Sequence, residues 1–203
     1  MQTKASVLVV VAMVAVVVSQ FVIAVPCYED SPLVAEGHDV YTIQDVPPMT
    51  SEEYDAIKSI LERSTGNWSG EMSEDECLGS KNNPRVKSKR FSVSGESHFD
   101  GEKFELKLNY ASQNNSDVRK TITFILKPDQ FQRGTAGPKD LAQVMSTSKN
   151  AFTFYARIIY EGRGTMVREF ADVVHLKGDQ LVLQTHLYVG GVYSTLTKIV
   201  LTH

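Results

Sequence analysis

Ser64-Thr65-Gly66-Asn67-Trp68-Ser69-Gly70-Glu71 is the stretch that decides the fold, because the periodicity of the chain changes here from helical to alternating. Before it, Thr50-Ser51-Glu52-Glu53 has the pattern of a capping box and predicts a helix that runs to about Arg63. After it, apolar and polar residues alternate, which is typical of half-buried strands. We therefore interpret residues 65–72 as the first strand of a sheet that is entered from a short helix.

The rest of the chain predicts further strands joined mostly by short links. Counting the first, the eight predicted strands span 65–72, 86–99, 102–111, 118–127, 151–160, 164–175, 180–189 and 192–202. Asp100-Gly101 and Gly190-Gly191 are typical of two-residue hairpin turns. Short links require antiparallel neighbours, because a parallel return needs a crossover of a dozen residues or more. The sequence thus predicts an all-β fold, an eight-stranded antiparallel up-and-down barrel in which the last strand pairs with the first.

The hairpin turns also predict which side chains share a face, because directly paired residues do so. A turn at Gly190-Gly191 pairs Thr185 with Leu196 and Leu183 with Lys198. The long link 128–150, between the fourth and fifth strands, reads as a loop followed by one or two helical turns over Lys139–Ser146. We expect this helical insertion to cover the same barrel end as the N-terminal helix.

The N-terminus indicates export. A positive charge at Lys4 precedes the apolar run Ala5–Val18, and the small residue Ala24 follows, so residues 1–24 read as a signal peptide. An uncleaved membrane anchor is the alternative, since the apolar stretch is long enough to cross a bilayer. We interpret 25–49 as an extended N-terminal segment and 50–203 as the barrel domain. The expected location is secreted or periplasmic/extracellular, with membrane contact only through a retained leader.

Charge and cysteine content limit the function classes. The net charge of −3 argues against nucleic-acid binding, which requires a basic surface. Cys27 and Cys77 both follow the leader, and an oxidising compartment favours a disulfide between them, although two unpaired thiols are the alternative. Their spacing matches no metal-binding motif, and we predict no metal and no cofactor.

Gly66-Asn67-Trp68, on a first strand that follows a short helix, resembles the Gly-x-Trp motif of the calycin superfamily, the lipocalin-like β-barrels. Other conserved blocks of classical lipocalins are missing, so the resemblance is to a divergent branch. It implies that a basic side chain of the last strand packs over the tryptophan, which gives Trp68 and Lys198 as barrel-closing residues. It also implies an interior cup for a small apolar molecule. The expected ligand-lining residues are Phe91, Val93, Leu106, Leu108, Tyr110, Phe124, Leu183 and Leu196.

Three functional hypotheses follow. The first is an exported barrel protein that binds a small hydrophobic ligand in its interior. The second is an exported barrel enzyme of the isomerase or cyclase type, for which Arg168, Asp172 and His175 are the titratable candidates. The third is a solid barrel that serves as an envelope or interaction module. No catalytic motif is present, so we assign no catalytic residues and favour a protein that is not an enzyme.

Overall fold

The computed structural model describes residues 27–41, 47–111, 117–134, 140–161 and 164–203. The predicted signal peptide, residues 1–24, lies outside the described residues. Among those that are described, no helix has the length and apolar character needed to cross a membrane. The described helices are α1 (Pro32–Ala35) and α2 (Ser51–Arg63). The described strands are β1 (Gly66–Ser80), β2 (Asn83–Phe99), β3 (Lys103–Ala111), β4 (Asp117–Lys127), β5 (Gln130–Arg133), β6 (Leu141–Thr147), β7 (Ala151–Tyr160), β8 (Met166–Lys177), β9 (Gln180–Val189) and β10 (Val192–Thr202).

The strands form one antiparallel sheet that curls into a nearly closed β-barrel. Its order is β5-β4-β3-β2-β1-β10-β9-β8-β7-β6, so β1 pairs with β10 as predicted. The ends of the sheet, β5 and β6, meet without pairing at what we call the seam. Side chains fill it: the ring of Phe131 on β5 lies 4.6 Å from that of Phe154 and 5.3 Å from that of Phe152, both on β7.

The prediction of eight strands is wrong, because the described barrel has ten. The two additional strands, β5 and β6, come from the insertion for which we expected helical turns, and residues 141–147 form a strand instead. Tertiary packing decides this segment: Phe131 is buried in the core, and β6 pairs with β7 from Leu141 to Thr147. No helix is found in the described part of the insertion.

The first hairpin is longer than predicted. We expected residues 73–85 to be a loop, but β1 and β2 remain paired as far as Ser80 and Asn83. Acidic residues of β1 face basic residues of β2, with Glu74 opposite Lys89 and Glu76 opposite Lys87. Opposite charges placed directly across two strands stabilise a pair without apolar alternation.

The strand registers of the two hairpins differ from the predicted registers, by two residues in the first hairpin and by one residue in the second. At Asp100-Gly101, Phe99 pairs with Phe104 rather than with Glu102, because the Asp100 side chain accepts hydrogen bonds from the Glu102 and Lys103 amides. That shift of two residues leaves every side chain on its predicted face. After Gly190-Gly191, a bulge between Tyr193 and Thr195 shifts β10 by one residue. Leu183 therefore pairs with Ile199 instead of Lys198, and the side chains beyond the bulge change faces.

Helix α2 covers one end of the barrel, which we call the helix end. The capping box is present: Thr50 Oγ1 accepts from the Glu53 amide at 3.2 Å, and the Glu53 carboxylate accepts from the Thr50 amide at 2.8 Å. Ile57, Ile60 and Leu61 are fully buried against the core. The aromatic side chains that fill this half of the barrel are Phe104, Phe124, Phe131, Phe152 and Phe154.

Residues 27–41 lie on the outer face of the barrel. The amide of Ser31 donates to the Gly191 carbonyl at 2.7 Å, and Leu33 and Val40 are buried against Tyr155 and Val167. The predicted disulfide between Cys27 and Cys77 is present and fastens the start of this segment to β1.

Candidate functional site: a cavity at the far end of the barrel

Trp68 lies at the helix end and is held by a different set of partners from the one that the resemblance implies. Its indole Nε1 donates to Ser97 Oγ at 2.7 Å, and the imidazole ring of His203 stacks on it with centroids 3.7 Å apart. A Cβ on Gly66 would come within 2.6 Å of the His203 ring, so glycine is required for this stacking. The predicted partner, Lys198, is exposed on the outer face, because the bulge in β10 has turned it outward.

Seven of the eight residues expected to line a ligand cavity belong to the interior core or pack against it, and their role as ligand contacts stays a prediction. Leu106, Leu108 and Phe124 are fully buried in the packed helix half, and Val93 and Leu183 are buried in the same core. The rings of Phe91 and Tyr110 are half-buried and pack on each other, with centroids 5.0 Å apart. Leu196 pairs with His186 on the outer face. None of these side chains is among those that line the internal cavity described next.

The far end of the barrel, opposite α2, contains an internal cavity of about 340 Å³. Seven strands contribute its walls, so it lies within the barrel and not on its surface. Its lining residues are Glu74 and Glu76 of β1, Lys89 of β2, Lys120 and Ile122 of β4, Arg133 of β5, Phe170 of β8, Thr185 and Leu187 of β9, and Thr195, Thr197 and Ile199 of β10. The volume falls at the lower end of the range for small-molecule sites, and eight of the twelve lining side chains are charged or carry hydroxyls.

One ammonium group in this cavity is paired with two carboxylates. Lys89 Nζ lies 3.5 Å from Glu74 Oε1 and 3.3 Å from Glu76 Oε2, and all three side chains are partly exposed. The hydrogen bond to Glu76 is the main cause that raises the pKa of Lys89. This cluster of one cation and two carboxylates therefore carries one net negative charge.

A second cluster is more deeply buried. Arg133 donates to Asp172, which is 3% exposed and which also accepts from Thr185 Oγ1 at 2.5 Å. The guanidinium of Arg133 lies over the Phe170 ring, 4.2 Å from its centroid. The cation and the hydroxyl both donate to this buried carboxylate, and a cation over an aromatic face is stabilised by the ring quadrupole. Arg133, Asp172 and Thr185 thus form a fixed polar wall beside the cavity.

Lys120 differs from the other cations of the cavity. It is half-buried, and it has no hydrogen bond and no ion pair to any residue in the described ranges. Burial lowers its pKa, and Arg133 lowers it further, while the nearby carboxylates of Glu74 and Asp172 oppose the shift. The far-end cavity therefore contains one amine that no carboxylate of the described residues contacts directly.

The three candidates for catalysis are not brought together. Asp172 faces the interior, but His175 is exposed on the opposite face of the same strand, where it pairs with Ala151 and Val182. Arg168 lies 5.3 Å from the centroid of the Tyr160 ring, near the end of the strand. Within the parts of the chain that the structure describes, no group of three or more His, Cys, Asp or Glu side chains is placed to bind a metal.

Sequence reasoning missed Glu74, Glu76, Lys89, Lys120 and Arg133 as interior residues. Charged side chains on alternating strands normally face solvent, so their sequence pattern is that of an outer face. A signal existed on β4, where Val118, Lys120, Ile122, Phe124 and Leu126 share one face. A lysine on an otherwise apolar face is the pattern of a polar group inside a barrel.

Comparisons with known proteins identify no family. No protein-family model and no curated protein matches this chain. Among solved structures, a match is a Lactobacillus plantarum protein provisionally described as an oleoyl thioesterase. It is 4% identical, with 75% of this chain and 83% of that chain covered and a TM-score of 0.17.

Proposed function

We propose that this chain is an exported β-barrel protein that binds a small molecule in the far-end cavity. The observation that carries the proposal is the placement of this cavity: seven strands enclose it, while α2 and the packed phenylalanines occupy the other half of the barrel. A ligand would therefore be confined to the far half. Barrels of about this size have room inside for side chains or for one small ligand.

The walls favour a ligand with an apolar body and a polar end. Ile122, Phe170, Leu187 and Ile199 supply apolar surface, and the remaining lining side chains are charged or carry hydroxyls. A wholly apolar ligand would desolvate those charges without compensating them. The proposed ligand is accordingly an amphipathic small molecule, a refinement of the hydrophobic ligand expected from the sequence.

Export is part of the proposal. The disulfide between Cys27 and Cys77 fits an oxidising compartment. The leader pattern at residues 1–24 supports the same location.

Binding of a neutral fluorescent probe, N-phenyl-1-naphthylamine, tests the proposal. The probe should bind saturably to the folded protein, and Thr195→Trp, which places a large ring in the cavity, should weaken binding at least tenfold. Lys198→Trp is the matched control, because this exposed residue of the same strand faces outward and its substitution should leave probe affinity unchanged. Circular dichroism verifies that both variants fold.

Absence of saturable binding to the unmodified protein would refute the proposal. Equal effects of the two tryptophan variants would also refute it, because they would place the probe outside the cavity. Native mass spectrometry of the protein from its secreting host would then identify any small molecule that copurifies.

A further inference from the structure

Lys120 differs from the other two cations of the cavity because it has no direct contact with a carboxylate in the described residues. Lys89 lies within 3.5 Å of two carboxylates, and Arg133 is bonded to Asp172. Each of these pairs is made between strands of the barrel itself and requires no ligand. Lys120 lines the same cavity from β4, and no residue in the described ranges forms a hydrogen bond or ion pair with it.

An ammonium that is partly removed from water is stabilised by direct contact with a negative group. The carboxylates of Glu74 and Asp172 act on Lys120 only from a distance, because they are paired with Lys89 and Arg133. A ligand that brings a negative charge would supply the missing partner. The contact would be a charge-assisted hydrogen bond, which is stronger than a neutral one.

The surroundings of Lys120 indicate what the rest of the ligand is like. Ile122 is two residues further along the same face of β4, and Phe170, Leu187 and Ile199 line the cavity with it. An anionic group on Lys120 would thus have its apolar body beside these four side chains. The carboxylates of Glu74 and Glu76 limit the negative charge that the cavity accepts, so a single charge fits better than two.

We propose that the far-end cavity binds an amphipathic monocarboxylate, with the carboxylate bonded to Lys120 Nζ and the apolar chain against Ile122, Phe170, Leu187 and Ile199. This inference rests on the proposed function, because it names the ligand class of the same site. It assigns to Lys120 the role of a ligand-binding residue and assigns none to the paired cations Lys89 and Arg133.

Calorimetric titration with three eight-carbon probes tests the inference: octanoate, octan-1-ol and octylamine. They share their apolar chain and differ in the charge of the head group. Octanoate should bind most tightly to the unmodified protein. Lys120→Met, which keeps the length of the side chain and removes the charge, should weaken octanoate about 10- to 100-fold and leave octan-1-ol unchanged.

Two further variants separate the head-group contact from general effects. Lys120→Arg keeps a cation at the site and should retain most of the octanoate affinity. Lys127→Met removes an exposed lysine at the other end of the same strand, 3.7 Å from Glu102, and should not alter the binding of any probe. Binding of octan-1-ol by Lys120→Met shows that this variant is folded.

The outcomes distinguish failure of the inference from failure of the proposed function. If octan-1-ol binds as tightly as octanoate, or if Lys120→Met weakens both equally, the head-group assignment is refuted and the binding cavity stands. Preferential binding of octylamine also refutes the assignment, and places the ligand head group on the carboxylates. If none of the three probes binds, the proposed function fails and the inference fails with it.

Discussion

Substitution of Ser97 by alanine should destabilise the barrel strongly for a side chain of this size. Ser97 Oγ accepts from the indole of Trp68 at 2.7 Å and from the Gly66 amide at 3.1 Å, and it donates to the Ser64 carbonyl at 2.5 Å. Ser64 and Trp68 are both buried, so water does not replace the lost contacts. Alanine removes all three hydrogen bonds while it changes the volume of the core very little.

The magnitude follows from the groups left without partners. The indole N–H is buried, and an unsatisfied buried donor or acceptor costs about 1–3 kcal/mol. The Gly66 amide is half-buried and adds less, and the carbonyl of the buried Ser64 loses the hydroxyl that donates to it. We therefore expect Ser97→Ala to lower the free energy of unfolding by about 2–4 kcal/mol.

Equilibrium unfolding in urea measures this free energy, followed by the fluorescence of Trp68, which is the single tryptophan of the chain. Ser94→Ala is the matched control, because Ser94 is exposed on the outer face of the same strand and should change stability by less than about 0.5 kcal/mol. A double-mutant cycle with Trp68→Phe, followed by circular dichroism, isolates the indole contact. If Ser97→Ala costs as little as Ser94→Ala, or costs the same with phenylalanine at position 68, the reasoning is refuted.

Three other predictions concern the outer face and the disulfide. Replacement of Cys27 and Cys77 by serine opens a loop with a sequence separation of 50 and should lower the free energy of unfolding by about 4 kcal/mol on loop-entropy grounds, measured in urea without reductant. Tyr155→Phe removes the hydroxyl that donates to the fully buried carboxylate of Glu169 and should cost about 2 kcal/mol in the same measurement. Burial lowers the pKa of His186 below its ordinary value of 6.5, so the unfolded chain binds a proton at this histidine more readily than the folded protein does. The free energy of unfolding should therefore fall as the pH drops below 6.5. His186→Gln should remove that part of the pH dependence.

Each of these has a control. Addition of reductant should destabilise the unmodified protein and leave the serine variant unchanged. Tyr160→Phe, at an exposed tyrosine, should be nearly neutral, and a similar cost at both tyrosines would contradict the role assigned to the Glu169 contact. His175→Gln, at an exposed histidine, should leave the acid dependence of stability as it is, and an equal effect of both histidine variants would contradict the assignment to His186.

The general architecture could be predicted because it rests on patterns that are local in sequence. Alternation of apolar and polar residues identified most strands, the capping box identified α2, and short links required antiparallel neighbours. The pairing of the first and last strands followed from the need to cover exposed edges. The register error of two residues at Asp100-Gly101 did not change which side chains face the core, because the side-chain period of a strand is two.

The register of the last strand could not be predicted from the turn alone. A bulge of one residue beyond Tyr193 reverses every subsequent side chain, and Ser194 is not a residue type that signals a bulge. As a result, Leu196 and Lys198 lie outside, while Thr195, Thr197 and Ile199 face the cavity. The bulge in β10 thus determines which of its side chains face the cavity.

The cavity itself was hidden by the charges that line it. Glu74 and Glu76 fell in the predicted link 73–85, and Lys89 in the predicted strand 86–99 was not singled out, because their stabilising partners are on the neighbouring strand and not nearby in sequence. Arg133 is separated by 39 residues from Asp172, its partner in the folded protein. Pairings of this kind become visible only when the strands are assembled.

The seam between β5 and β6 separates the first five strands from the last five, and this has a consequence for how the molecule could be divided. No backbone ladder joins β5 to β6, so cutting the peptide within residues 135–139 would interrupt covalent continuity where the sheet is already discontinuous. The fragments would be two five-stranded meanders, and the β1–β10 ladder together with the phenylalanines around Phe131 would join them. Such a break would convert an intramolecular closure into an association of two polypeptides, so the stability of the barrel would then depend on protein concentration.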